Sequence, residues 1–254
     1  MSDIEIAYQQ EISEELARKK ILEISEAIFN ARLTRESKKP DKTDLLGLPI
    51  ATVSIIPDAP LNKLTSTSEL VAKQNDYRIR TKHGEIPNFN NETVKNGLTT
   101  SLFGNHYRRV FSSYYGIHGL VELRQSIAIP DRDQTSILAI TIGDLVLIAL
   151  RAATSLYETF KFNSKARIII RLDNIADSIV ISDYGTIGFD SDPIADLDHY
   201  EWEETIDQSQ LKDNESLLSF AMPLIEQINF DLGAEGLSSD NHNSFNELKN
   251  KGQS

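Results

Sequence analysis

Cysteine is absent from all 254 residues. That excludes disulfides, thiolate nucleophiles and cysteine-ligated metal centres together. No uninterrupted apolar run reaches the roughly 20 residues that a membrane span needs. The nearest candidate, around residues 137–150, is broken by Asp144, so no membrane association is expected. The N-terminal segment MSDIEIAYQQEISEELARKK has no apolar secretory core. With the missing cysteine, this points to a cytoplasmic protein.

Catalytic signatures are missing too. There is no Walker loop, no GxGxxG after a strand, no nucleophile elbow and no HExxH. The histidines, His83, His106, His118, His199 and His242, are scattered along the chain. His106 and His118 could meet across a hairpin with Glu122 near, but two imidazoles without a placed carboxylate make a poor metal site. Asp190, Asp192, Asp196 and Asp198 lack the order and the glycine of a calcium loop. No catalytic residue, metal or cofactor is expected, and the chain reads as a non-enzyme.

Positive charge is scarce in one region. The formal net charge is −12, and from residue 171 onward there are 4 Lys and Arg against 18 Asp and Glu. The first 170 residues carry 22 against 20. A near-neutral body with an acidic extension has little general attraction for phosphate backbones, and acidic extensions commonly serve as solvated or interaction segments.

What the chain does have is pattern. The organising stretch is residues 133–162, DQTSILAITIGDLVLIALRAATSLYETFKF, read as one long buried helix with Asp133 or Thr135 as N-cap. Its first half is apolar on nearly every side, and its second half carries a stripe of Leu150, Ala153, Leu156, Tyr157 and Phe160. Residues 4–33 form an amphipathic helix with two stripes, Tyr8, Ile12, Leu16 and then Ile21, Ile24, Ile28, out of phase by one residue. The phase slip implies a bend or a change of packing partner.

Residues 34–44 are a charged linker. A strand is expected over 48–58 and a short helix over 66–75, opened by the capping-box pair Ser66 and Glu69. Residues 82–104, with three glycines and an asparagine-rich patch, read as a long loop. Residues 105–130 read as a hairpin turning at 115–119. Residues 166–175 alternate Arg167, Ile169, Arg171 against Ile168, Ile170, Leu172 and read as a strand, with 178–185 as its neighbour. Residues 189–214 are acidic with little apolar pattern. Residues 215–232 form a helix that Pro223 should kink or split. The fold class is therefore α+β: an antiparallel or mixed sheet packed on one long buried helix, with an N-terminal amphipathic helix. The organisation is 1–44 helix and linker, 45–232 α+β domain, and 233–254 polar, disordered tail.

The candidate contacts for nucleic acid or a partner are Arg80, Lys82, Tyr107, Arg108, Arg109 and Arg124. Arginines beside aromatics on a sheet can stack bases and touch phosphates. The competing reading is an ordinary sheet face with aromatic cross-strand pairs.

The run HYRRVF, HGLVELRQSI, LIALRAATSLYETF and RIIIRLDNI, spanning residues 105–175, resembles the C-terminal region that follows the AlbA-like domain in bacterial Schlafen/AlbA-type putative DNA-binding, ATP-binding proteins. The AlbA-like domain itself has no counterpart here, so no functional residue carries over. The resemblance implies an accessory or sensing module working beside a separate chain. The leading expectation is a non-enzymatic module acting through protein contacts, with a protein partner or a homo-oligomer. The alternative is a nucleic-acid-associated component using the Arg/aromatic hairpin.

Overall fold

The computed structural model describes residues 3–39, 45–77, 80–81, 84–85, 92–103, 110–128, 136–181 and 198–233. Its centre is a seven-stranded antiparallel sheet. In chain order the strands are β1 (Ile50–Pro57), β4 (Glu92–Val94), β5 (Gly97–Phe103), β6 (Val110–Gly116), β7 (Val121–Ser126), β9 (Ala166–Asp173) and β11 (His199–Ile206). The spatial order is β11-β9-β1-β7-β6-β5-β4. Small pieces lie beside it: β2 (Arg80–Thr81) with β3 (Gly84–Glu85), and β8 (Ser136–Leu138) paired in parallel with β10 (Ile179–Ile181). The helices are α1 (Asp3–Ser37), α2 (Thr67–Ala72), α3 (Gln74–Tyr77), α4 (Ala139–Thr159) and α5 (Asn214–Asp231). The α+β class is as the pattern indicated.

One sheet face is apolar and packs on α4. Ala51, Val53 and Ile55 of β1, Val121 and Leu123 of β7, and Ile168, Ile170 and Leu172 of β9 are all fully buried there. They meet Leu145, Val146, Ala149, Leu150, Ala153 and Leu156 of α4. Small residues on this helix let it sit close to the sheet. The far side of α4 takes α5, through Leu217, Ala221, Leu224, Ile225 and Ile228. Thirteen residues of α4 are buried. Its length and hydropathy alone would suit a membrane span, and its apolar surface is taken up by the sheet and α5.

Several expectations are corrected. The long helix is shorter than 133–162: residues 136–138 pair with β10 as strand, so α4 opens at Ala139 with Leu138 as an N-cap that offers no side-chain bond. Backbone groups committed to a ladder cannot also enter a helical turn, and Asp133 and Thr135 lie outside the described residues. Nor is α4 sandwiched between pleated segments; it lies between one sheet and α5. The neighbours of β9 are β1 and β11, whereas β10 joins β8. The expected loop over 82–104 contains strands. In the β4–β5 hairpin Asn96 adopts φ 67, a left-handed conformation that asparagine tolerates. At Gly97 an added Cβ would lie 2.5 Å from the Tyr115 carbonyl oxygen. The acidic stretch 189–214 contributes β11, whose outward Glu201, Glu203 and Glu204 are exposed. Finally, α5 runs unbroken through Pro223. That proline sits on the exposed side, where the carbonyl left without its helical donor can face solvent, so the helix is not split there.

The remaining elements follow the pattern closely. Ser66 and Glu69 form the capping box at α2. The β6–β7 hairpin lies within 105–130. Alternate residues of β9 are buried, with Ile168, Ile170 and Leu172 inward.

Candidate functional site

The opposite sheet face is polar, and α1 covers it. The alternation that sends Val53, Val121 and Leu123 toward α4 sends Thr52, Ser54, Glu122 and Arg124 toward α1. Strands β5 and β6 add Thr99, Ser101, Ser112 and Tyr114 on the same side. At the centre Glu122, 3 % exposed, and Arg124, 4 % exposed, form an ion pair with Arg124 Nη2 2.7 Å from Glu122 Oε1. Arg124 Nε also donates to that oxygen at 2.8 Å. Ser25 of α1 donates its hydroxyl to Oε1 at 2.7 Å, and Ser54 of β1 donates to Oε2 at 2.8 Å. The Phe29 ring lies over the Arg124 guanidinium at 4.6 Å. The carboxylate is thus surrounded by donors from three elements. A group so fully committed is positioned to fasten α1 to the sheet, not to move a proton to or from a substrate.

Further anchors line the same seam. Arg18 reaches the backbone and side chain of Asp58 and also Glu15. Arg32 bonds Glu92 and Ser101 Oγ at 3.0 Å. Arg171 of β9 pairs with Glu26 at 3.2 Å. Apolar contacts fill between them: Phe29 and Leu33 with Val110 and Phe103, and Ile21, Leu22 and Ile28 with Ile56, Tyr114 and Leu120. Burial lifts the Tyr114 phenol to about 12, with the nearby Glu122 charge adding to it.

The buried anchors begin at Arg18; ahead of it Glu15 lies 3.7 Å from Arg167 of β9. Residues 6–13 of α1 are exposed without exception, and the stripe of the first half lies open: Tyr8 is 62 %, Ile12 37 % and Leu16 62 % exposed, with Ile6 at 50 %. Helical geometry explains why. At roughly 100° per residue, Tyr8, Ile12 and Leu16 centre about 130° around the axis from the sheet-facing row Arg18, Ser25, Phe29 and Arg32. The sheet that accepts the second half of α1 therefore cannot accept the stripe of the first half. The same four side chains make up half of the eight large apolar residues that are exposed among the described residues.

A cleft of about 530 Å³ opens where α4 ends, bounded by Glu158, Lys161, Phe162, Gln208 and Lys212 among others. Several of its polar groups are engaged in structure, while the buried Gln208 Oε1 has no hydrogen-bond partner. Tyr157 donates its hydroxyl to the Gly119 carbonyl at 3.1 Å, Asp207 caps the 3-10 turn Gln208–Leu211, and the Gln208 amide donates to the Phe162 carbonyl. Among the described residues no group of three histidine, aspartate or glutamate side chains converges in the manner of a metal site. His118 keeps Nδ1 within 2.9 Å of the Pro60 carbonyl oxygen, and His106 lies outside the described residues.

The sequence-derived contact set divides in the same way. Arg124 is buried under α1 and faces Glu122, away from any outer surface. Arg80 lies in the short strand β2. Lys82, Tyr107, Arg108 and Arg109 fall outside the described residues. The pair Ser25 and Glu122, and the clamp from Arg18 to Asp58, were missed by sequence reasoning. Nothing in the spacing of residues 97 and 40 apart announces them. No family model, curated protein or solved structure matches this chain.

Proposed function

We propose that this chain is a non-enzymatic interaction module that binds protein through the projecting first half of α1. The observation that carries the reading is the exposed row Tyr8, Ile12 and Leu16 on a helix whose second half is firmly docked. A single amphipathic helix presenting an i, i+4, i+8 row is the form used in helix-in-groove recognition. Burying each of these side chains in a partner contributes roughly 1.5–3 kcal/mol. The sum is comparable with the cost of association, so the contact is one of moderate affinity. An accessory role beside a separate chain, as the Schlafen/AlbA-type resemblance implies, is of the same kind.

The test compares the wild-type chain with the triple variant Tyr8→Ser, Ile12→Ser, Leu16→Ser. Association, with itself or with a purified partner, is followed by light scattering and by equilibrium binding. The variant is expected to lose association while its unfolding midpoint stays near that of the wild type, because exposed substitutions change stability by about 0.5 kcal/mol or less. Retention of the wild-type association by the variant would overturn the reading.

A further inference from the structure

Independently of the α1 surface, we propose that the cleft where α4 ends is a binding site for a small planar carboxylate. Lys161 and Lys212 hold its anionic end at the mouth. Its flat body lies against Phe162, and an O–H or N–H at its far end donates to Gln208. The cleft volume of about 530 Å³ falls within the range of small-molecule sites. Buried Tyr157 and Leu211 line its inner part, with half-buried Phe162 beside them. The Phe162 ring is braced by Tyr157, with centroids 4.7 Å apart. A braced aromatic wall favours a planar occupant.

The lysines give the sign of the ligand. Both line the cleft and are exposed, and neither has an ion-pair partner among the described residues. Each sits against a local preference. Lys161 follows the C-cap Phe160 with φ 54, a left-handed position that favours glycine. Lys212 directly precedes Asp213, the N-cap of α5, at an end where the helix dipole disfavours a cation. Overruled local preferences are expected at functional sites. Two carboxylates line the cleft as well, Glu158 and Asp207. Asp207 is spent on the backbone N–H and hydroxyl of Ser209. Glu158 leaves a negative charge at the mouth, which opposes a doubly charged phosphate more than a singly charged carboxylate.

Gln208 gives the far end of the ligand. Its Nε2 donates to the Phe162 carbonyl, which fixes the amide orientation, since the flipped amide would set oxygen against oxygen. Its Oε1 is buried and has no hydrogen-bond partner. A buried acceptor left unpaired is costly. A donor arriving through the cleft relieves that cost after a small turn about the soft terminal torsion of the side chain.

The test uses the full chain and para-hydroxybenzoate, a ring with a phenol at one end and a carboxylate at the other. Binding is followed by titration calorimetry and ligand-observed NMR. A compound of about ten non-hydrogen atoms is expected to bind with Kd on the order of 0.1–1 mM. Para-methoxybenzoate lacks the donor and para-hydroxybenzamide lacks the charge, and each is expected to bind roughly tenfold more weakly. Lys212→Gln is expected to weaken binding about fivefold. Lys161→Gly should weaken it to a similar extent while raising the unfolding midpoint, because glycine relaxes the left-handed position. A lysine with a purely structural role would not give that opposed pair of effects. No binding in the millimolar range would overturn the proposal. So would binding untouched by both lysine substitutions, or equal affinity for the methoxy compound. None of these variants touches α1, so failure here leaves the protein-contact reading standing.

Discussion

The two faces of the central sheet are held by different physics. The face toward α4 is closed by aliphatic side chains in close contact, from Val53, Leu123 and Ile170 to Leu150 and Leu156. Such packing is non-directional and depends on area and fit. The face toward α1 adds directed bonds to its apolar contacts: Ser25 and Ser54 to Glu122, Glu122 to Arg124, Arg18 to Asp58, and Arg32 to Ser101 and Glu92. A directed interface permits one register of the covering helix, because a shift of one residue would leave buried charges unpaired. The apolar face tolerates small shifts, and the polar face does not. α1 is therefore fixed in rotation about its own axis, and that fixed rotation leaves its first stripe turned outward.

The sharpest way to break the comparison is at Glu122. Glu122→Ala leaves Arg124 buried without a counter-charge, and is expected to lower the unfolding free energy by about 3–5 kcal/mol in chemical denaturation. Replacing both partners together, Glu122→Leu with Arg124→Met, should recover most of that loss, since an apolar pair of similar volume avoids the desolvation penalty. If the double variant were as unstable as the single one, directed pairing would not be what holds this face.

On the opposite face, Ile170→Ala should cost about 2–5 kcal/mol through lost transfer energy and the cavity left behind. No second substitution of opposite polarity should rescue it. Denaturant titration with unchanged m-value checks both the size and the mechanism.

The smallest effect sharpens the contrast through pH. The Tyr114 phenol is raised from 10 to about 12 in the folded chain by burial and by Glu122. It also donates to the Asn96 carbonyl at 3.1 Å. Its neutral form is thus favoured by folding. The stability it contributes is complete below pH 10 and is lost as pH rises from about 10 to about 12. Tyr114→Phe should flatten the pH dependence of stability in that window, measured by denaturation at constant ionic strength. An unchanged slope would remove Tyr114 from the alkaline response.

The elements legible in the sequence were those with a strong local period. Ile168, Ile170 and Leu172 alternate with Arg167 and Arg171, a period of two that specifies β9 as a strand with one buried face. Ser66 with Glu69 marked the start of α2. The apolar density of residues 139–157 made α4 unmistakable. Where the reading failed, tertiary pairing had overridden local preference. Residues 136–138 look like the start of a helix and are recruited by β10. β11 carries His199, Glu201 and Glu203 along one side of the strand, a polar pattern that only the pairing with β9 turns into a strand.

The site was legible in half. The one-residue slip between the stripes of α1 was visible, and with it the expectation of a bend or a change of packing partner. Its sheet-facing row was not, because Arg18, Ser25 and Arg32 are polar residues buried by specific mates, and hydrophobic periodicity is blind to those.

The rim of the sheet has one more consequence. At one end β4 offers three residues among those described, and at the other β11 presents Glu201, Glu203 and Glu204 to the solvent. A passing strand finds too little ladder on one margin and a fence of carboxylates on the other. Along the described edges, strand addition is therefore disfavoured at both margins of the sheet.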